Sequence, residues 1–155
     1  MSEEKELEQQ GEVAADFIEE FLDVADLDGD LDIEFKKERV YISVQSEGES
    51  NLGKISDPDT VEAIQELARL AVQAKTGEMS RLILDIAGSR QAKTDKLQKL
   101  VERTIEKLEE TDNEQHLKPM TSYDRKQVHD MVSEAGFLSE SEGQGRDRHI
   151  VVRKP

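Results

Sequence analysis

The sequence predicts an α+β fold made of two small domains. Apolar residues at helical spacing alternate along the chain with short runs in which every second residue is apolar. The length of 155 residues suits one or two small domains, each with a modest core. The chain contains no cysteine, so disulfides and thiolate metal sites contribute to neither domain.

The first domain is predicted over residues 12–88, after an acidic tail at 1–11 that shows no apolar periodicity and is expected to be disordered. An amphipathic helix follows from residue 12, because apolar residues recur at three- and four-residue spacing. Apolar side chains then alternate from Leu31 to Phe35 and from Val40 to Val44, which predicts two antiparallel strands joined by a short turn.

The rest of this domain is predicted to be helical until its last strand. A single helical turn is expected at 51–55, and a helix at 58–75 ends before Gly77, since glycine readily adopts the left-handed backbone that ends helices. Ile64, Leu67, Ala68, Ala71 and Val72 are expected to face inward. The alternating run at 81–87 predicts the third strand.

A long charged helix at 89–112 is predicted to link the two domains. Six basic residues along it have two possible roles: a solvated face, or a basic ridge that follows a nucleic-acid backbone. The second domain is expected over 113–155, with an edge strand at 114–118, a helix from Thr121, a loop at 139–143 and a basic strand towards the C-terminus.

Arg125 and His129 stand four residues apart in the helix that begins after Thr121. The Thr121 hydroxyl is expected to accept from the backbone amide of Asp124, and the Asp124 carboxylate is expected to return to the Thr121 amide. Residues four apart are neighbours on a helix surface, so an exposed Arg/His pair is predicted. The apolar stripe of this helix consists of Val128, Met131, Val132 and Ala135.

The Arg-x-x-x-His spacing lies inside a longer pattern, with Pro-Met-Thr at 119–121, Ser-Glu-Ser-Glu-Gly at 139–143 and a basic strand at 148–152. This order resembles a small domain implicated in single-stranded nucleic-acid binding and named for an arginine and a histidine separated by three residues (R-three-H), which we call the RxxxH domain. The predicted nucleic-acid contacts are Arg125, His129, Arg148, Lys126, Arg146 and His149.

Structural roles for the same residues remain open alternatives. Arg125 and His129 can instead tie the helix to neighbouring backbone or carboxylates. The basic residues after 145 can simply guard an exposed strand edge. Alternation along a strand would place Arg146 and Arg148 on one face.

The order helix, strand, strand, short helix, helix, strand in the first domain is that of a type II KH domain. The helix at 60–73, the Lys-Thr-Gly at 75–77 and the strand at 80–87 resemble the KH part of the bacterial Jag family, also called SpoIIIJ-associated proteins. In that family a KH domain directly precedes an RxxxH domain. The chain is therefore identified as a member of the Jag family, with the resemblance covering residues 12–155.

One departure from the family concerns the KH loop that binds RNA. A KH domain holds about four nucleotides through a Gly-x-x-Gly loop, but here Leu-Gly-Lys at 52–54 and Thr-Val at 60–61 are joined only by Ile-Ser-Asp-Pro-Asp. Asp57 and Pro58 predict a helix start that carries its own carboxylate, and Asp59 adds a second negative charge. The predicted non-binding positions are Ser56, Asp57, Pro58 and Asp59.

Charge is distributed unevenly along the chain, whose net charge is -15. Residues 1–35 contain fourteen acidic residues and one lysine, whereas residues 118–155 contain seven basic and six acidic residues. The acidic charge therefore lies mainly outside the RxxxH domain. No signal peptide, membrane span or catalytic signature is recognisable, and we expect a cytoplasmic protein that is not an enzyme and has neither metal nor cofactor.

The leading functional prediction is binding of single-stranded RNA, with single-stranded DNA as a variant, through the RxxxH domain. The Jag resemblance implies a regulator of cell elongation, division or envelope growth. The alternative is a protein-interaction adaptor whose KH-like domain docks a partner, for which the family suggests a second small KH protein. A nucleotide or DNA binder built on the RxxxH domain is a third hypothesis.

Overall fold

The computed structural model describes residues 2–48 and 50–155, which divide between Ala92 and Lys93 into two compact units. Each unit has its own three-stranded sheet and its own apolar core. This agrees with the predicted α+β class. Within the described residues, no helix combines the length and the apolar character needed to cross a membrane.

The prediction of a disordered tail at 1–11 is wrong for residues 3–11, which belong to the first helix, α1 (Glu3–Val24), while Met1 lies outside the described residues. The start of α1 is capped because the Ser2 hydroxyl accepts from the Lys5 amide at 3.3 Å, and three glutamates in the first turn complement the positive helix end. Leu7 packs on the core and Gly11 is buried. The buried face of α1 therefore begins before residue 12, where the sequence predicted the helix to start.

The strands β1 (Asp30–Lys36) and β2 (Arg39–Gln45) form the predicted antiparallel hairpin. Its turn contains Lys37 and Glu38 in left-handed conformation, with φ of 52° and 60°, which suits the twist of a two-residue hairpin. Alternate side chains of β2 are buried. β3 (Ile83–Ile86) pairs with β2 in parallel, so the order in the sheet is β1-β2-β3.

A single 3-10 turn (Leu52–Lys54) precedes α2 (Pro58–Thr76), as predicted. Gly77 ends this helix with a φ of 79°. The buried stripe of α2 differs from the predicted one, because Leu67 is 50% exposed. Its buried members are Val61, Ile64, Ala68 and Val72.

The long helix α3 (Ser89–Thr111) begins in the first unit and continues into the second. The predicted boundaries treated 89–112 as a separate linker, whereas the structure divides the chain within this helix. The physical reason is that Leu97, Val101 and Leu108 are buried in the core of the second unit. Most of α3 is therefore part of that unit.

The second unit continues with β4 (Gln115–His116), α4 (Ser122–Glu134), β5 (Leu138–Glu142) and β6 (His149–Arg153). The strands form an antiparallel sheet in the order β4-β6-β5. The predicted loop at 139–143 is wrong, because most of it is strand β5. Arg146 lies in a 3-10 turn (Gly145–Asp147), so the predicted alternation of Arg146 and Arg148 along a strand is also wrong.

We expect Gly29→Ala to destabilise the first unit. A Cβ at position 29 would lie 2.6 Å from the buried Val44 Cγ1 and 3.3 Å from both methyl groups of Leu52. Overpacking of this kind costs about 1–3 kcal/mol, measurable by urea denaturation. Gly53→Ala is the matched control, since nothing lies within 4 Å of a Cβ there. Equal stability of the two variants would contradict this packing.

Candidate nucleic-acid interface

The start of α4 is fixed by one half of the predicted capping box. The Thr121 Oγ accepts from the Asp124 amide at 3.2 Å, as expected. The Asp124 carboxylate is buried and lies 3.4 Å from the Lys93 Nζ. This ion pair links the first turn of α4 to α3 within the second unit.

Arg125 is half-buried, and its Nη1 donates to the Met120 carbonyl at 2.7 Å. The predicted exposed pair is therefore wrong for this residue, and the alternative in which Arg125 ties the helix to nearby backbone describes one of its contacts. A guanidinium carries five N–H donors. One bond to Met120 leaves the others for a ligand.

His129 is also half-buried, and its imidazole is hydrogen-bonded to two serines of β5. Nδ1 lies 2.6 Å from the Ser139 Oγ, and Nε2 lies 2.9 Å from the Ser141 Oγ. A hydroxyl both donates and accepts, so a neutral imidazole is satisfied in either tautomer. His129 thus connects α4 to β5.

The electrostatic surroundings of His129 favour its neutral form. Burial lowers the pKa of His129 below its usual value, and the positive charges of Arg125 and Arg148 lower it further, while Asp130 acts in the opposite direction. Arg125 comes from α4, whereas Arg148 directly precedes β6. Two arginines from different elements therefore act on the same imidazole.

Arg148 is exposed and its Nη1 donates to the Gly143 carbonyl at 2.9 Å. Gly143 itself has a φ of 87°, and a Cβ there would lie 2.9 Å from the Asp147 carbonyl oxygen. Lys126 and Arg146 are exposed, and neither has a side-chain hydrogen bond or ion pair among residues 2–48 and 50–155. These two side chains can meet a ligand without breaking a contact.

The last two basic residues of the chain, Arg153 and Lys154, are paired with carboxylates. Arg153 contacts Glu114 at 2.7 Å, Glu140 at 2.8 Å and Glu142 at 3.0 Å, and these carboxylates raise the pKa of Arg153. Lys154 forms an ion pair with Asp112. The positive charges of both residues are thus compensated within the unit.

His149 belongs to a cluster that the sequence did not reveal. Its Nδ1 lies 2.8 Å from the Asp147 carbonyl and its Nε2 lies 3.2 Å from the Nδ1 of His116. Together with Glu142, these two histidines place three potential metal-ligating atoms within 4.8 Å of one another. Their positions, 116, 142 and 149, give no recognisable ligand spacing, so only strand pairing brings them together.

In the first unit, the start of α2 has the predicted cap. Asp57 Oδ2 accepts from the Asp59 amide at 3.2 Å, and Pro58 occupies the first turn. The Ser56 hydroxyl donates to the Gly53 carbonyl at 3.4 Å. A carboxylate therefore occupies the positive end of the helix.

Residues 95–154 match the family model described as the R-three-H domain, which is the domain that we call RxxxH. The chain therefore carries the domain that the Arg125/His129 pattern predicts. The match begins inside α3, in keeping with the packing of that helix in the second unit.

Two curated bacterial relatives are similar to more of the chain than this domain. A protein named "RNA-binding protein KhpB" from Clostridium symbiosum is 23% identical over 143 residues, which cover 90% of this chain and 64% of the relative. A protein of the same name from Bacillus subtilis (strain 168) is 28% identical over 98 residues, covering 60% of this chain and 46% of the relative. The chain spans less than two thirds of the length of either relative.

We expect an NMR titration to give a pKa for His129 below 6.5, and Arg148→Gln to raise it by removing a nearby positive charge. Lys126→Gln, which removes an exposed charge from the helix that carries His129, serves as control and should change the His129 pKa less.

The lowered pKa of His129 also makes stability depend on pH. Because the folded state binds the His129 proton less tightly than the unfolded chain, His129 stabilises the fold above pH 6.5, and this stabilisation is lost as the pH falls towards its folded-state pKa. A His129 pKa above 6.5 would contradict the geometry.

Proposed function

We propose that this protein binds single-stranded RNA through the surface of its RxxxH domain, which we call the basic surface. The observation that carries the proposal is that Arg125 and Arg148, from two elements of the fold, each bind one backbone carbonyl and keep further donors, while the charges of both act on His129. The relatives' names, RNA-binding protein KhpB, support RNA as the ligand class. The members of the basic surface are Arg125, Lys126, His129, Arg146 and Arg148.

The contacts of these residues indicate a division of roles. Lys126 and Arg146 supply exposed charges to phosphates, while Arg125 and Arg148 each retain donors beyond the one that binds a backbone carbonyl. His129, bonded on both ring nitrogens, holds α4 against β5 and so keeps Arg125 in place. Both ring nitrogens of His149 face groups of the same unit, the Asp147 carbonyl and His116, so its predicted contact with nucleic acid is not part of the proposal.

The composition predicts how such a complex behaves. The chain has only four phenylalanines, two tyrosines and no tryptophan, so extensive base stacking contributes little. Contacts to phosphates dominate, and these weaken steeply as salt concentration rises. The net charge of -15 further reduces long-range attraction to RNA. We therefore expect weak, salt-sensitive and largely sequence-tolerant binding.

Regulation of cell elongation, division or envelope growth is the biological role that we attach to this activity, on the resemblance to the Jag family alone. A cytoplasmic location, the absence of catalysis and a second small KH protein as partner belong to the same proposal. The experiments below test RNA binding alone and do not depend on this role, location or partner.

We expect Arg125→Ala/Arg148→Ala to weaken the binding of a fluorescent single-stranded RNA pool at low salt. Loss of two phosphate contacts should lower the slope of log affinity against log salt by about 1.4, since each contact to a single strand contributes about 0.7. Fluorescence anisotropy at several salt concentrations measures both quantities, and circular dichroism verifies the fold.

Lys75→Ala/Arg81→Ala is the matched control for this experiment, because it removes two exposed positive charges from the first unit. It should leave the slope unchanged. An equal loss of affinity in both double variants would assign the effect to net charge. No binding by the wild-type chain at low salt would refute the proposed function.

The adaptor hypothesis remains the second candidate, and two features of the first unit favour it. The positive end of α2 already carries the Asp57 carboxylate, where a KH domain would receive a phosphate. Leu67 and Leu70 on the same helix are 50% and 51% exposed. A protein partner would use such apolar side chains, and its binding would depend little on salt.

We expect Asp57→Gly/Asp59→Lys to leave RNA affinity unchanged, because the loop at 54–60 lies outside the basic surface. Photo-crosslinking of wild-type chain to RNA, followed by peptide mapping, should give crosslinks in the second unit. Arg125→Ala/Arg148→Ala serves as the comparison that lowers the yield. Strong crosslinks from Lys54–Thr60 into RNA would show that the KH-like loop binds after all.

A further inference from the structure

We propose that the outer face of the second sheet binds a divalent transition-metal ion of the zinc class, with His116, Glu142 and His149 as its ligands. We call these three residues the metal cluster. Each residue offers one ligand atom, and these atoms all lie within 4.8 Å of one another. None of the three belongs to the basic surface, so this proposal does not depend on RNA binding.

Strand pairing places the three ligands on one face of the sheet. Glu142 of β5 pairs directly with His149 of β6. His116 of β4 pairs with Val151, which is two residues beyond His149 on the same face of β6. Directly opposed and diagonal neighbours on one sheet face are within reach of each other. Three adjacent strands therefore each contribute one ligand from a hydrogen-bonded support.

The hydrogen bonds of the two imidazoles point to a cation between them. The Nδ1 of His149 faces the Asp147 carbonyl at 2.8 Å, and the Nε2 of His116 faces the Glu114 carboxylate at 3.2 Å. Both oxygens are acceptors, so each of these ring nitrogens must carry a proton. In neutral rings, the other two nitrogens, His116 Nδ1 and His149 Nε2, then present lone pairs to each other at 3.2 Å.

A metal ion resolves this arrangement of two facing lone pairs. Two imidazole nitrogens bound to one tetrahedral zinc ion at 2.0–2.1 Å are about 3.3 Å apart, close to the observed 3.2 Å. Metal-bound histidines usually donate their second N–H to a carboxylate or backbone carbonyl, which orients the ring. Glu114 and Asp147 supply these two acceptors. The other cation that fits between the nitrogens is a single shared proton.

Arg153 is the competing cation at this face. It contacts one oxygen of Glu142 and also binds Glu114 and Glu140. A carboxylate has two oxygens, so Glu142 can keep its bond to Arg153 and direct the other oxygen to a metal. Arg153 would then orient Glu142, as Asp147 orients His149.

The ligand set selects the class of ion. Two imidazoles and one carboxylate suit zinc and related transition metals, whereas magnesium and calcium prefer oxygen ligands alone. Three protein ligands also leave a fourth position of a tetrahedral ion to solvent. His116 is half-exposed, so the site is open to ions from solution.

Isothermal titration of the full chain with zinc chloride tests the proposal. We expect one zinc ion per chain, and a loss of affinity of at least about tenfold in His116→Ala and in His149→Ala. Glu142→Gln should weaken binding as well. Glu78→Gln is the matched control for Glu142→Gln, because it removes an exposed carboxylate from the first unit without touching the metal cluster, and it should leave zinc binding unchanged. Magnesium chloride should give no comparable binding.

A second measurement uses only the wild-type chain and therefore does not depend on the folding of any variant. Zinc should shift the side-chain NMR signals of His116 and His149 and leave those of His129 in place, and a chelator should reverse the shifts. Unperturbed His116 and His149 signals would overturn the proposal. Zinc binding that survives in His116→Ala/His149→Ala would overturn it equally.

Discussion

The second unit depends on the burial of α3 against its small core. Leu97, Val101 and Leu108 are buried together with Val128 and Val132 of α4 and with apolar residues of β6. Burial of the three α3 side chains is worth about 5–9 kcal/mol, which is comparable with the whole unfolding free energy of a domain of this size. A sheet of three short strands and one four-turn helix would not form a sufficient core without them.

The pleat of the second sheet separates two polar clusters. Along β5, Ser139 and Ser141 face α4 and bind His129, whereas Glu140 and Glu142 face the opposite side and bind Arg153. Successive side chains of a strand point to opposite faces, so four consecutive residues of β5 make both sets of contacts. The basic surface, through His129, and the metal cluster, through Glu142, therefore lie on opposite faces of β5.

The sequence predicted the parts of the fold that depend on local patterns. Alternating apolar residues predicted the hairpin. The helix caps at Asp57, Gly77 and Thr121 were predictable because each depends on the side chain or backbone conformation of one residue next to the helix end. The start of α1 was missed because the buried Gly11 has no apolar side chain to extend the periodic stripe. Strand β5 was missed because serine and glutamate alternate there, and neither residue type signals a strand.

The candidate site was predictable only as far as the spacing of Arg125 and His129. The partners of these side chains come from other elements: His129 reaches serines ten and twelve residues away, and the two histidines of the metal cluster are separated by 33 positions. Such contacts depend on strand register, which follows from packing and turn geometry and not from residue type. The exposure of Arg125 and His129 was overestimated for the same reason, since both side chains contact residues outside their own helix.

The position of the unit boundary inside α3 has a consequence for how this domain is inherited. A segment beginning at residue 113, two residues before β4, would leave behind the buried face formed by Leu97, Val101 and Leu108. Any gene fusion or duplication that transfers the domain must therefore carry the preceding helix with it. A transfer of this kind keeps the core of the second unit intact only if its junction falls near Lys93, where that unit begins.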